Sequence, residues 1–464
     1  MSTARLLLFG VNHKTAPIEL REKIAIPFER LAEATRSLAA TRGVREAIIV
    51  STCNRVELLV STEAGGEGAP NLIDFFNQFL AVDHSELRPH VYEYREQEAV
   101  RHLFRVASSL DSMVVGEPQI LGQVKEAYSV AKSVGGAGSS LDRLMQIAFS
   151  VAKRVRNETE IGSTSVSVAS IAVDLAEKIF GSLEGKKVFL IGAGEMSELA
   201  ARHLVDRGAR SIFVANRTLD RAVQLAAEFG GNVVEFQDLY NSVDRADIVI
   251  TSTGSQQPIF LPEHGAQFIQ RRRNRPMFFI DIAVPRDVDP EMNRVEGIFL
   301  YDIDDLQSVA AANQTDRAQE AIVAEAIVAA EVERYQRQLN TLDAVPIIRS
   351  LQQAAEMMRQ SELRKAESGR LRDLSEEQWS AIEALTRAMM NKFLHPTLQA
   401  IKAAAAEGDM EKLESYRTTF DPQRAVAYLK SHPQVAGVSS DVEAEISASA
   451  ETEAAAGESV EEGS

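Results

Sequence analysis

Cys53 is the only cysteine among 464 residues, so it can neither close an intramolecular disulfide nor belong to a Cys-rich metal site. It sits in Ser51-Thr52-Cys53-Asn54-Arg55, a polar hinge between the apolar runs 47–50 and 56–60. A lone cysteine is often a small, inert core residue. With a hydroxyl, an amide and a guanidinium beside it, the sharper reading is a nucleophile whose thiolate is favoured by nearby cationic charge.

A second constellation lies in the middle of the chain. Gly192-Ala193-Gly194-Glu195-Met196-Ser197 follows the apolar run KVFLI and opens a helix. Glycines there let the backbone approach a pyrophosphate, and the helix amides attract it. The third glycine of the usual fingerprint is absent, with Ser197 in its place, which makes the motif less specific. The next strand ends in Asn216-Arg217-Thr218 rather than in the Asp or Glu that reads a free ribose 2′-hydroxyl. A cation and a hydroxyl there suit a 2′-phosphate, so NADPH is expected over NADH. The plain alternative for Arg217 is an ordinary exposed arginine.

A thiol together with a hydride donor implies a reaction class. A thiolate attacks an activated acyl group, and the resulting thioester accepts hydride to give an aldehyde. A free carboxylic acid would need prior activation, so the substrate is expected to be an acyl ester or acyl phosphate.

The elements that must position these groups follow from patterning. The β-branched runs around Cys53 predict two strands presenting the thiol at a tight connection. Residues 6–9 predict another strand and 91–94 a short one, with 10–17 a loop marked by Gly10 and Pro17. Helices are expected at 18–24, 28–40, 71–80 and 98–115, the last carrying His102 and running into a polar turn at 116–123. From 165 to 301 strands alternate with helix-length segments, the pattern of a parallel sheet. Residues 304–339 lack Gly and Pro and predict one long helix, with interruptions expected at Pro346, near Ser368-Gly369 and at Pro396. Long helices with apolar stripes favour a dimer over an intramolecular bundle.

The bulk numbers bound the rest. Hydrophobic content of 45% and charged content of 25% are ordinary for a globular protein. No run approaches the roughly 20 apolar residues of a bilayer span, and one cysteine without a targeting signal points to the cytoplasm. No metal site is expected. The net charge of −17 disfavours nonspecific nucleic-acid binding. Eight carboxylates without a Lys or Arg fall in 438–464, however, so a disordered acidic tail is expected and local basic patches remain open to a nucleic-acid partner. The most basic run, Gln270-Arg271-Arg272-Arg273-Asn274-Arg275, reads as a solvated loop or as a nucleic-acid phosphate contact.

GVNHKTAPIELREK, STCNRVE, GEPQILGQVKEAY, GAGEMSELAARHL, ANRT and DIAVPRDVDP together resemble glutamyl-tRNA reductase, from about residue 6 to about residue 429. The resemblance implies an α/β multidomain chain. Its parts are an N-terminal α+β catalytic and glutamate/tRNA-recognition domain (1–158), a Rossmann-like NADPH-binding domain (159–303), and a spinal helix with an all-helical dimerisation domain (304–430). The acidic tail (431–464) lies beyond the family pattern. The resemblance implies NADPH-dependent reduction of glutamyl-tRNA(Glu) to glutamate-1-semialdehyde by a homodimer, the first step of five-carbon tetrapyrrole synthesis, with hand-off of the product to an aminomutase. By position it makes Cys53 the nucleophile and His102 important for activity, through orienting the ester or moving a proton to the leaving ribose hydroxyl. Thr52, Asn54, Arg55, Ser112, Glu117, Pro118, Gln119 and Gln123 match the glutamate pocket. There Arg55 suits a substrate carboxylate and Glu117 the α-ammonium group. Gly192 to Ser197 match the phosphate loop. Two other readings compete: a shikimate-dehydrogenase-like NADP oxidoreductase on a small hydroxy acid, with Cys53 structural, and a non-catalytic dinucleotide-binding redox sensor.

Overall fold

The computed structural model describes residues 5–62, 72–117, 119–159, 161, 167–209, 211–312, 318–369 and 371–419. Pro118 and the acidic tail expected at 431–464 lie outside the described residues. Chain contacts separate Ser2–Val332 from Glu333–Ser464.

Ser2–Val332 carries two sheets. The first is antiparallel, in the order β2-β3-β1-β4, from β1 (Arg5–Asn12), β2 (Val44–Ser51), β3 (Arg55–Thr62) and β4 (Tyr92–Arg95). Helices α1 (Ile18–Ile24), α2 (Phe28–Ala39), α3 (Leu72–Leu80) and the short α4 (His84–Leu87) connect these strands. α5 (Glu96–Ala107), α6 (Gln119–Ser133) and α7 (Ser139–Glu158) follow. All eight residues of β3 are buried. Val56, Leu58 and Val60 share one core with Leu7, Phe9 and Val11 of β1 and with Leu20, Leu31, Leu38 and Phe76.

Two expectations change here. Gly10, Val11 and Asn12 belong to β1, not to a loop, because they pair with Glu57, Val56 and Arg55. Gly10 suits that place: a Cβ would meet the Glu57 side chain at 2.8 Å. Helix α5 ends at Ala107 rather than at 115. Residues 108–117 form a buried loop, closed by the Gly116 amide on the Ser109 carbonyl at 2.9 Å and by Ser109 Oγ on the Glu117 carbonyl at 2.6 Å.

The second sheet is parallel: β5 (Lys187–Ile191), β6 (Ser211–Ala215), β7 (Asn232–Val233), β8 (Ile248–Thr251), β9 (Met277–Asp281) and β10 (Ile298–Tyr301). Its order, β10-β9-β8-β5-β6-β7, is the doubly wound arrangement, with the topological switch between β5 and β8. Helices α8 (Val168–Phe180), α9 (Glu195–Asp206), α10 (Leu219–Phe229), α11 (Leu239–Ser242), α12 (Pro262–Arg271) and α13 (Ile303–Ala312) accompany it. The two sheets do not have wholly separate cores. Ile18, Met113 and Val114 pack with Val188, Leu190, Ile250 and Ile282, and Cys53 lies against that cluster.

α14 (Ala318–Ser368), α15 (Glu376–Glu407) and α16 (Met410–Thr419) follow among the described residues. Within 333–419, Ala344, Ile347, Leu351 and Ala355 of α14 bury against Leu394, Ile401, Ala404 and Ala405 of α15 and Leu413 of α16. The long helix expected at 304–339 is described as two pieces, α13 and α14, with 313–317 outside the described residues. Pro346 and Pro396 do not break their helices. Each removes a backbone donor at a cost of about 3 kcal/mol, which burial of Ala344 and Ile347 near Pro346 and of Leu394 and Ile401 near Pro396 offsets. Leu385, Met389 and Phe393, four apart on α15, are 59%, 63% and 81% exposed. None of the helices among the described residues is long and apolar enough to cross a membrane.

Candidate active site

The thiol turn is fixed from within. β2 and β3 pair up to Ser51 opposite Val56. Beyond that, the Thr52 amide donates to the Arg55 carbonyl at 2.8 Å. The Thr52 hydroxyl accepts from the Asn54 and Arg55 amides at 3.2 Å each. Thr52 thus replaces the strand ladder where the chain reverses, and Cys53 projects half-buried from the turn.

Arg55 lies immediately behind the turn and is 1% exposed. Its Nη1 donates to Glu57 Oε1 at 2.8 Å and lies 3.3 Å from Asp111 Oδ2, while Nη2 donates to the Asp111 carbonyl. Both terminal nitrogens are therefore engaged. The grip on a substrate carboxylate that the family resemblance implies for Arg55 would have to displace Asp111. Burial favours protonation of Glu57, but Arg55 and His102 outweigh it and hold the carboxyl down at about 2. His102 is buried on α5, its Nε2 2.7 Å from Glu57 Oε1 and its ring stacked on Tyr94.

The 108–117 loop and the start of α6 face the turn. A cavity of about 210 Å³ is lined by Thr52, Cys53, Asn54 and Arg55, by Ser112 and Glu117, and by Gln119 and Gln123. Its far wall comes from the parallel sheet: Met196 at the start of α9, Ser252 and Thr253 after β8, and Ile282, Ala283 and Val284 after β9. The cavity thus joins the thiol to the switch point of the doubly wound fold, where such folds bind their ligands.

The nucleotide side is built for close backbone approach. Gly192 follows β5 at φ +102°, and a Cβ there would stand 2.6 Å from the Ser252 carbonyl. Gly194 caps α9, leaving the helix amides open to an anion. Ser197, in the third glycine's place, is 1% exposed, with its Oγ 2.6 Å from Ser252 Oγ. The far wall is braced by Asp281, which accepts from Thr251 Oγ1 at 2.8 Å, the Ala283 amide at 3.0 Å and the Val288 amide at 2.9 Å. Burial, with Asp287 nearby, raises Asp281 to about 8. Asn216, Arg217 and Thr218 follow β6 on the surface, where Asn216 Nδ2 donates to the Thr218 carbonyl at 3.0 Å.

Electrostatics in the cavity differ from the sequence expectation. Burial pushes the Cys53 thiol up to about 12. Glu117 adds to the rise, while Arg21 and Arg55 oppose it. The cations near the thiol are outweighed. Glu117 is itself raised to about 7 by burial, although the Val168 amide donates to it.

The fold gathers Thr52, Cys53, Asn54, Arg55, Ser112, Glu117, Gln119, Gln123 and Met196 on one surface. His102 is turned to Glu57 instead, and Gly192 to Glu195, Ser197 and 216–218 lie on the nucleotide side, off the cavity lining. Sequence reasoning missed Asp111, Thr253 and the 282–284 wall. For Thr253 and 282–284 the signal is positional, since residues just past β8 and β9 must flank the switch point; Asp111 carries none. The basic run is partly consumed by its own domain. Arg272 is 4% exposed and donates to the Ala246 and Asp244 carbonyls and to Asp247, and Arg271 donates to the Tyr240 carbonyl.

Comparison with known proteins agrees with this layout. Residues 9–159 match the family model for the N-terminal domain of glutamyl-tRNA(Glu) reductase, 174–309 that for shikimate/quinate 5-dehydrogenase, and 323–422 that for the dimerisation domain of glutamyl-tRNA(Glu) reductase. Glutamyl-tRNA reductase 2 of Koribacter versatilis is 55% identical over 400 residues, covering 86% of this chain and 91% of that one. Glutamyl-tRNA reductase of Geobacter sulfurreducens is 47% identical over 419 residues, covering 90% and 96%. The solved glutamyl-tRNA reductase of Methanopyrus kandleri is 34% identical, covering 86% and 98%, with a TM-score of 0.43. This chain is an oxidoreductase and belongs to the glutamyl-tRNA reductase family.

Proposed function

We propose that the chain reduces the glutamyl ester of glutamyl-tRNA(Glu) to glutamate-1-semialdehyde with release of tRNA(Glu), using Cys53 as nucleophile and NADPH as cofactor. This is the first step of five-carbon tetrapyrrole synthesis. The observation that carries the reading is one cavity, which a thiol turn lines on one side and the strand ends of a dinucleotide fold on the other.

The residues fit the cofactor. Gly192 lets the loop close against the Ser252 carbonyl, Gly194 has open space where a Cβ would stand and opens α9 toward an anion, and Arg217 with Thr218 suits a 2′-phosphate. When bound, NADPH supplies the hydride.

The chain's own residues supply the rest. Glu117 accepts the α-ammonium group of the glutamyl moiety. That pairing cancels the carboxylate charge which opposes the thiolate, so substrate binding itself eases ionisation of Cys53. Arg55, held by Glu57 and Asp111, positions the turn and keeps positive charge beside the substrate's side chain, with Gln119 and Gln123 completing the polar wall. The Cys53 sulfur bonds to the acyl carbon as that carbon's bond to the ribose oxygen breaks, and the ribose oxygen leaves with a proton. The C–S bond breaks when the acyl carbon has been reduced, giving the aldehyde and the free thiol. His102 contributes by holding Glu57 and, through it, Arg55.

The dimerisation-domain match and the exposed stripe on α15 support a homodimer. A reactive amino aldehyde also favours direct hand-off to glutamate-1-semialdehyde aminomutase. The deciding experiment supplies charged tRNA and NADPH to wild type and to Cys53→Ser. The variant should form neither aldehyde nor a glutamyl adduct detectable by mass spectrometry. Full turnover by Cys53→Ser would overturn the mechanism.

A further inference from the structure

One short helix ties the thiol turn to the nucleotide half. Arg21 on α1 is 2% exposed. Its Nη1 donates to the Cys53 carbonyl at 2.9 Å, and its Nη2 pairs with Asp304 at the start of α13. One residue on, Glu22 accepts from the Arg286 amide at 2.7 Å and from its Nε and Nη2 at 2.9 Å each. Glu19 lies 3.2 Å from Arg286 Nη1. Arg286 itself follows the 282–284 wall of the cavity. Both ion pairs thus link α1 to segments beside the cofactor side of the site.

Arg21 is an expensive residue to keep in this place. Its Nε is buried without a hydrogen-bond partner, and a buried charge that is only partly satisfied costs stability. A purely structural link would be served by Glu22 and Arg286, which are less buried. Arg21 adds a fixed positive charge against the backbone of the nucleophile's own residue. The charged groups that act on the thiol are Glu117 from the 108–117 loop, Arg55 from β3 and Arg21 from α1, with Arg21 the stronger of the two cations.

We propose that Arg21 is a positioning residue for Cys53, fixing its turn and favouring its thiolate, and that Asp304 tunes this charge from the nucleotide-binding half. The proposal rests on Cys53 being the nucleophile, but its measurement needs no turnover. Because Cys53 is the sole cysteine, alkylation of the full chain by iodoacetamide reads that thiol alone.

Between about pH 7 and 9 the alkylation rate follows the thiolate fraction, so one pKa unit is about tenfold in rate. Arg21→Gln should alkylate about tenfold more slowly across that range, and Arg21→Lys should recover to within about threefold of wild type. Asp304→Asn should alkylate severalfold faster, because the guanidinium loses its neutralising partner. With charged tRNA, Arg21→Gln should lower kcat and leave KM for the tRNA unchanged. A folded Arg21→Gln that alkylates at the wild-type rate would overturn the proposal, as would Arg21→Lys matching a slowed Arg21→Gln. Should Arg21→Gln not fold, Asp304→Asn decides, and an unchanged or slower rate there sinks the idea. Turnover by Cys53→Ser would refute the nucleophile reading separately.

Discussion

His102 Nε2 stands 2.7 Å from Glu57 Oε1, and the same oxygen accepts from Arg55 Nη1 at 2.8 Å. A carboxylate only accepts, so Nε2 carries the proton. The histidine is thereby connected to the thiol turn through Glu57 and Arg55. His102→Ala should destabilise the fold by on the order of 1–3 kcal/mol, because Glu57 loses a donor in a buried site. Activity should fall with it, and His102→Gln should restore part of both. Thermal melts beside steady-state kinetics check this. Lost activity at unchanged stability would speak for direct proton transfer instead.

Glu117 makes stability depend on pH in an unusual direction. Its carboxyl is raised from 4.5 to about 7, so between those values the folded chain holds a proton that the unfolded chain has released. Stability from this group therefore falls as pH rises through that window. Glu117→Gln should be more stable than wild type above pH 7, on the order of 3 kcal/mol, and the difference should shrink toward pH 4.5. Denaturant titrations at both ends measure it. The same variant should alkylate faster at Cys53, since the opposing charge is gone.

Arg217 is exposed after β6, with no carboxylate in the two positions beside it. If it reads a 2′-phosphate, Arg217→Ala should raise KM for NADPH by about tenfold or more, the worth of a charge-assisted hydrogen bond. KM for NADH should change little. Equal effects on both cofactors would reassign the residue.

The stripe Leu385, Met389 and Phe393 is too apolar and too exposed for an isolated surface helix. Leu385→Asp with Phe393→Asp should convert a dimer to a monomer without unfolding 333–419, because the α14–α15 core lies on other residues. Light scattering after size exclusion gives the mass. A dimer that survives both substitutions places the interface elsewhere.

The parts legible in the sequence were those written locally. The β-branched runs around Cys53 gave two strands and a tight connection, and strand-glycine-helix order gave the β5–α9 turn. What escaped depended on partners far along the chain. Gly10 looked like a loop residue because its fit against Glu57, 47 positions away, leaves no local trace. Pro346 and Pro396 looked like breaks because propensity is blind to the core beside them. Asp111, Arg21 and Asp304 are ordinary charged residues until the fold sets them against Arg55 and the Cys53 carbonyl. Charge near the thiol was visible, but not that burial and Glu117 would outweigh it.

The full burial of β3 has a last consequence. A strand enclosed on both faces and hydrogen-bonded on both edges is among the slowest parts of a protein to exchange its amide hydrogens. The Cys53 sulfur hangs from the entrance of that strand. On the proposed function, the breathing that lets a bulky tRNA end in and a product out comes from the opposite wall, and deuterium uptake around 252–253 and 282–284 should outpace that of 55–62 by orders of magnitude.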